Sequence, residues 1–68
     1  MSIVELYGML DGVSILTRFR VYKSYRVGKR FLYETLYDGS FDNMDTRLKQ
    51  ANVGHYSYEL PDTLFVYL

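Results

Sequence analysis

Residues 17–37 limit what this chain can become more than any other segment. They read Thr-Arg-Phe-Arg-Val-Tyr-Lys-Ser-Tyr-Arg-Val-Gly-Lys-Arg-Phe-Leu-Tyr-Glu-Thr-Leu-Tyr. Aromatic and β-branched residues favour extended backbone, so two strands are expected here around a polar connection, residues 23–29. Gly28 in that connection is free to take positive φ. The first strand is expected over residues 13–22. Val13, Ile15, Phe19 and Val21 fall on one face and Ser14, Leu16, Arg18, Arg20 and Tyr22 on the other, which turns both arginines outward. The second is expected over residues 31–37, with ambiguous facing. Phe31, Tyr33, Thr35 and Tyr37 make an uncharged face, opposed by Leu32 and Leu36 with Glu34 between. The tyrosine face is the one expected to meet the core.

Helical spacing appears on either side of this ribbon. Ser2 and Glu5 fit a capping box, and Ile3, Leu6, Met9 and Leu10 give one apolar stripe. A helix is predicted over about residues 3–10, weakened at Gly8 by roughly 1 kcal/mol relative to alanine and ended by Asp11-Gly12. Asp38-Gly39 reads as a turn, with Ser40 or Asp42 available as a cap. Phe41, Met44, Leu48 and Ala51 then line one side of a second helix, about residues 41–51. Asp42 and Asp45 in its first turn and Arg47 and Lys49 later complement its dipole.

The end of the chain predicts a hairpin of residues 55–60 and 63–68 closed by Pro61-Asp62, in a type I turn. That loop sets Glu59 opposite Leu64, Tyr58 opposite Phe65, Ser57 opposite Val66 and Tyr56 opposite Tyr67. Tyr56, Tyr58, Phe65 and Tyr67 would then form an aromatic ladder on one face, and Leu64, Val66 and Leu68 would occupy the other. A strand apolar on both faces is normally covered on both. The ladder is therefore read either as core or as an interface with another molecule.

The expected fold class is α+β in a single domain, residues 1–68. Its order is α-β-β-α-β-β, with an antiparallel sheet of about four strands and two short helices. At 68 residues the margin is thin, since a domain of about 60 residues buries only roughly 60% of its unfolded surface. No cysteine is present, so disulfides cannot compensate. Eight tyrosines and four phenylalanines can, as can self-association. No apolar run approaches the roughly 18–20 residues of a membrane span. The start, Met-Ser-Ile-Val-Glu, has neither the basic opening of a signal peptide nor a myristoylation glycine. A cytoplasmic protein without membrane contact is expected.

The steps Leu36-Tyr37-Asp38-Gly39-Ser40, Asn52-Val53 and Asp62-Thr63-Leu64-Phe65-Val66-Tyr67-Leu68 resemble a group of small uncharacterised proteins. These are encoded by phages and mobile elements of Gram-positive bacteria. The likeness spans most of the chain, but it rests on turns and strand alternation. It implies the setting of an accessory protein and no activity, cofactor or catalytic residue.

Chemistry is sought in three places. Arg18, Arg20, Lys23, Arg26, Lys29 and Arg30 gather most of the positive charge, with Phe19, Tyr22, Tyr25, Phe31 and Tyr33 interleaved. Such a ribbon can be a solvated edge, a surface for an acidic protein, or a nucleic-acid surface where rings stack bases and cations meet phosphate. The formal net charge of zero weighs against nucleic acid, whose binders usually show basic excess. His55 lines up with Ser57 and Glu59 along one strand face rather than converging with them, so it reads as structural or surface rather than catalytic. Asp42 and Asp45 read as caps. No phosphate-binding loop, dinucleotide fingerprint or nucleophile elbow occurs, and no ligand cluster suggests a metal. The expected function is therefore non-enzymatic interaction, without cofactors, by an accessory protein that self-associates through its C-terminal aromatic hairpin. A protein partner is possible, and nucleic-acid binding by residues 18–30 is the alternative.

Overall fold

The computed structural model describes residues 1–59 and 62–68. The first helix, α1 (Ile3–Met9), is opened by the expected capping box. The Ser2 hydroxyl accepts from the Glu5 amide at 3.2 Å, and the Glu5 carboxylate accepts from the Ser2 amide at 3.2 Å. Ile3 and Leu6 are fully buried, and Tyr7 and Leu10 pack against the same cluster. Met9 does not join them and is 53% exposed. At about 100° per residue it falls well off the stripe that Ile3, Leu6, Tyr7 and Leu10 share. Tyr7 takes its place and stacks on Phe41 with ring centroids 4.0 Å apart.

Four strands and a second helix follow: β1 (Arg18–Val27), β2 (Arg30–Ser40), α2 (Thr46–Lys49), β3 (His55–Glu59) and β4 (Thr63–Tyr67). The fold is α+β in the expected order, but the sheet is mixed rather than antiparallel. Its strand order is β2-β1-β4-β3. Each hairpin is antiparallel, yet they join through a parallel β1·β4 pair, Arg18 to Tyr22 against Thr63 to Tyr67. Docking the second hairpin through β3 would have made the sheet antiparallel throughout. Apolarity decides otherwise: β4 brings Leu64 and Val66, both fully buried, whereas β3 brings tyrosines that keep contact with water. The greasier strand takes the centre, and residues 41–54 cross its face to reach the far edge.

Strand limits also depart from expectation. Residues 13–17 are not strand. The Ser14 amide donates to Thr17 Oγ1 at 3.0 Å, and the Thr17 amide donates to the Ser14 carbonyl at 3.1 Å. Short polar side chains here divert the backbone into a turn. Ile15, expected on the core face, is 57% exposed. Strand β1 then continues through residues expected to be a loop, and the connection shrinks to Gly28 and Lys29. Gly28 takes φ +61°, the glycine-first pattern of a type II′ hairpin. Asp38-Gly39 is strand rather than turn. Asp38 lies opposite Arg20, and Gly39 leaves room for Tyr37: a Cβ there would sit 2.7 Å from the Tyr37 hydroxyl oxygen.

The alternation of β2 is broken once. Val21 faces Tyr37 but Tyr22 faces Thr35, so Leu36 is an extra residue, a β-bulge. The expected tyrosine face is thereby split. Tyr37 packs with the core, while Phe31, Tyr33 and Thr35 share the opposite face with Asp38.

The second helix is one turn rather than three. Asp45 is its N-cap and accepts from the Arg47 amide at 2.8 Å. Phe41 and Met44 are buried all the same, through a turn closed by the Met44 amide on the Phe41 carbonyl. A turn repeating every three residues satisfies the same spacing. Neither Ser40 nor Asp42 caps this helix.

The final hairpin is shifted by one residue. Tyr58 faces Leu64, Tyr56 faces Val66, Ser57 faces Phe65 and His55 faces Tyr67. Three residues separate Glu59 from Thr63, whereas the expected register needs an even number. The strand end expected at Leu60 and the turn expected at Pro61 lie outside the described residues. A one-residue slip moves side chains to the other face, so the aromatic ladder does not exist. Tyr56 and Tyr58 share the core face of the sheet with Leu64 and Val66. Phe65 and Tyr67 share the outer face with His55.

Tyr58 is held by a local network. Its hydroxyl donates to Asp62 Oδ1 at 2.5 Å, with the Gly12 carbonyl oxygen 3.1 Å away. The fully buried Thr17 donates to the same carboxylate oxygen at 2.8 Å. One carboxylate thus ties the start of β1, the start of β4 and the end of β3. The core above β1 and β4 comprises Ile3, Leu6, Phe19, Val21, Phe41, Met44, Leu64 and Val66.

Candidate functional site

Both helices lie on one face of the sheet: Ile3 and Leu6 of α1 pack with Phe19, Val21, Leu64 and Val66, and Leu48 of α2 packs against the same cluster. No described element covers the other face. The alternation of β1 and β4 therefore puts Arg18, Arg20, Tyr22, Phe65 and Tyr67 on an open surface, and the bulge in β2 adds Tyr33. Every strand supplies one ring to its centre. Tyr67 of β4 stacks on His55 of β3 at 4.4 Å and on Tyr22 of β1 at 5.4 Å. Tyr33 of β2 meets Tyr67 edge-on at 5.7 Å. These four residues line an open cup of about 310 Å³, at the small end of the roughly 300–1,000 Å³ of ligand sites.

Arg20 lies beside the cup. Its guanidinium is 5.7 Å from the centre of the Tyr22 ring and 5.8 Å from that of Phe65, within range of cation–π attraction. Its Nε is buried and has no hydrogen-bond partner among the described residues; the carboxylate oxygen Asp38 Oδ2 is 3.6 Å away. Asp38 is engaged elsewhere, by Arg18 through a bidentate pair at 2.5 and 2.7 Å. That hydrogen-bonded pair holds the Asp38 carboxyl below its ordinary range and raises Arg18. Arg18 is thus committed to the fold, and Arg20 is the arginine turned to the rings.

Beyond Tyr22, β1 has no partner except β2, because the β4 ladder ends there. The two strands continue as an arm over residues 23–34. It carries Lys23, Arg26, Lys29 and Arg30, and its Tyr25, Val27, Phe31, Leu32 and Tyr33 are all exposed. Arg26 reaches back to the Gly28 carbonyl at 2.8 Å and lies 6.0 Å from the Phe31 ring centre.

The neutral total charge conceals a separation. Residues 18–40 hold six of the eight lysines and arginines and two of the eight carboxylates, and the rest of the chain holds the converse. The ribbon is therefore basic on a molecule with no net charge.

The six basic residues singled out in the sequence all fall on this ribbon, although Arg18 and, at longer range, Arg20 pair with Asp38. Of the four C-terminal aromatics, Phe65 and Tyr67 reach the open face, whereas Tyr56 and Tyr58 lie on the other. His55, read as a structural or surface residue, is part of the cup. Its membership was legible only through the correct hairpin register, and that of Tyr33 only through the bulge. Asp45 is a cap, and Asp42 lies in the turn before it. Among the described residues no three potential metal ligands cluster, and no helix is long and apolar enough to cross a membrane. Comparison with family models, curated proteins and solved structures finds no match.

Proposed function

We propose that this protein binds single-stranded nucleic acid on the open face of its sheet, as an accessory factor in the phage or mobile-element setting its resemblance implies. One observation carries the reading: all four strands send a ring to one uncovered surface, beside an arginine. Unpaired bases stack on such rings whatever their sequence, each adding about 1–3 kcal/mol. The cup has room for one planar base. Phe65 and the guanidinium of Arg20 extend the surface along β4 and β1, and the arm offers Lys23, Arg26, Lys29 and Arg30 to phosphates. Duplex DNA is disfavoured, because the rings need bases free of their stack.

Fluorescence anisotropy with a labelled oligothymidylate tests this. Binding should weaken steeply as salt is raised. Tyr67→Ala and Arg20→Ala should each reduce affinity, by roughly tenfold to a hundredfold for a lost stacking partner, with the circular dichroism spectrum unchanged. Absence of binding to single-stranded DNA and RNA at low salt overturns the reading. So does binding that neither variant alters. A chain that ignores oligonucleotides, and dimerises in a way that Tyr67→Ala abolishes, assigns the face to self-association instead.

A further inference from the structure

The edge formed by β2 points to a second binding surface, which adjoins the aromatic cup at Tyr33. β2 is the outermost strand on its side of the sheet and the longest in the fold, at 11 residues. Its outer backbone edge has no partner among the described residues. Phe31 is 67% exposed, and Leu32, Tyr33 and Leu36 are exposed beside it. A long apolar edge is a ready template for another strand, and folded proteins commonly protect one with charge. Here the charges are Arg30 and Glu34, and they are placed symmetrically about Leu32.

We infer that β2 pairs antiparallel with β2 of a second copy about a two-fold axis at Leu32. In that register Arg30 lies opposite Glu34 twice, Phe31 opposite Tyr33 twice, and Leu32 opposite itself. Charges that would repel many strands attract this one. Within each copy Lys23 is already the neighbour of Glu34, and Tyr25 that of Leu32. The paired sheet thus gains a row of alternating sign, Lys23–Glu34–Arg30, and an apolar row of two Tyr25 and two Leu32. The nearest competing register that pairs charges sets Arg30 against Asp38. It also places Glu34 against Glu34 and runs across the bulge at Leu36, which bends the strand away. The bulge therefore ends the straight segment where the complementary register ends. Two-fold pairing is closed, so it makes a dimer and not a fibre. The outer faces of both copies stay open in it.

Sedimentation or light scattering across a range of concentrations tests the pairing. The unaltered chain should show a monomer–dimer equilibrium. Glu34→Arg and Arg30→Glu each create like-charge pairs at two symmetric places, and each should weaken the dimer by roughly tenfold or more. The double variant Arg30→Glu with Glu34→Arg restores every pair in reversed sense and should recover the dimer. All three changes are at exposed positions, and circular dichroism checks that each variant folds. A strict monomer overturns the inference, as do a dimer indifferent to both single changes, a double variant that stays monomeric, and growth beyond dimers. Oligonucleotide binding is read separately on Glu34→Arg, which removes no cation or ring of the nucleic-acid surface, so failure here leaves the stacking surface standing, and the reverse.

Discussion

Strands β1 and β2 are one hairpin with two very different halves. In the half near the body, Phe19 and Val21 are fully buried, and Tyr37 packs against the same core. In the half beyond Tyr22 no residue is buried, although its composition is as apolar. The two strands stay paired across both, with the bulge at Leu36 between them. What changes is the neighbour: β4 ends at Tyr67, and the helices reach no further. Alternation along a strand therefore marks which residues can be buried. Burial itself needs a third strand and a roof. The body half is built for stability, and the arm spends its rings and charges on surface.

The largest effect expected from this contrast is in the body. Phe19 lies 5.6 Å from the Phe41 ring and 6.1 Å from the Tyr7 ring, centre to centre. Phe19→Ala should cost about 3–5 kcal/mol in urea unfolding. Phe31→Ala, in the arm, should stay within about 0.5 kcal/mol. Similar losses at the two positions would abolish the distinction.

Next comes the carboxylate that anchors the body. Asp62→Ala removes the acceptor of the buried Thr17 hydroxyl and of Tyr58, and should cost about 1–3 kcal/mol. Arm amides should exchange with solvent no faster than in the unaltered chain, since the network does not reach them. Gly8 lies in α1 with open space where a Cβ would go, so Gly8→Ala should raise stability by about 1 kcal/mol. A decrease would show that α1 packs more tightly than its surroundings indicate.

The smallest effects are those of pH. Asp38 is held low mainly by its hydrogen bonds to Arg18, and Glu5 mainly by the Ser2 amide and then its hydroxyl. For a depressed carboxyl the folded state gains stability above the ordinary pKa and loses it as pH falls through the lowered one. Tyr58 is shifted the other way, raised first by its hydrogen bond to Asp62 and then by burial. Its contribution is complete below the ordinary tyrosine range and disappears as pH rises through the raised value. Stability should therefore decline gently at both extremes. Asp38→Asn should flatten the acid limb and Tyr58→Phe the alkaline one, each followed by thermal unfolding against pH.

Much of this was readable locally. The capping box at Ser2 and Glu5 needs only its own four residues. The order of elements, the two hairpins and the outward arginines follow from spacing and turn residues, and the clustering of charge over residues 18–40 is a property of the chain itself. Apart from the parallel pairing of the two hairpins and the shortened second helix, three departures have one character. The bulge at Leu36, the three-residue connection after Glu59 and the turn at residues 13–17 each shift a register or a boundary by a small step. Each step decides which face a side chain meets. Tyr33 and His55 entered the cup, and Tyr58 left the expected ladder, for that reason alone.

The sequence by itself determined that this protein is a short α+β chain with a basic, aromatic ribbon and too few helices to cover both faces of a sheet. Those are matters of local propensity and composition, which act over a few neighbouring residues. Only the tertiary structure decided that β4 sits beside β1, that the sheet is mixed, and that the rings converge on the uncovered side. The energy that makes those choices is the burial of Leu64 and Val66 against Phe19, Val21 and the helices. The contacts with Phe19, Val21 and the first helix join residues more than forty positions apart, and no short stretch of the chain contains them.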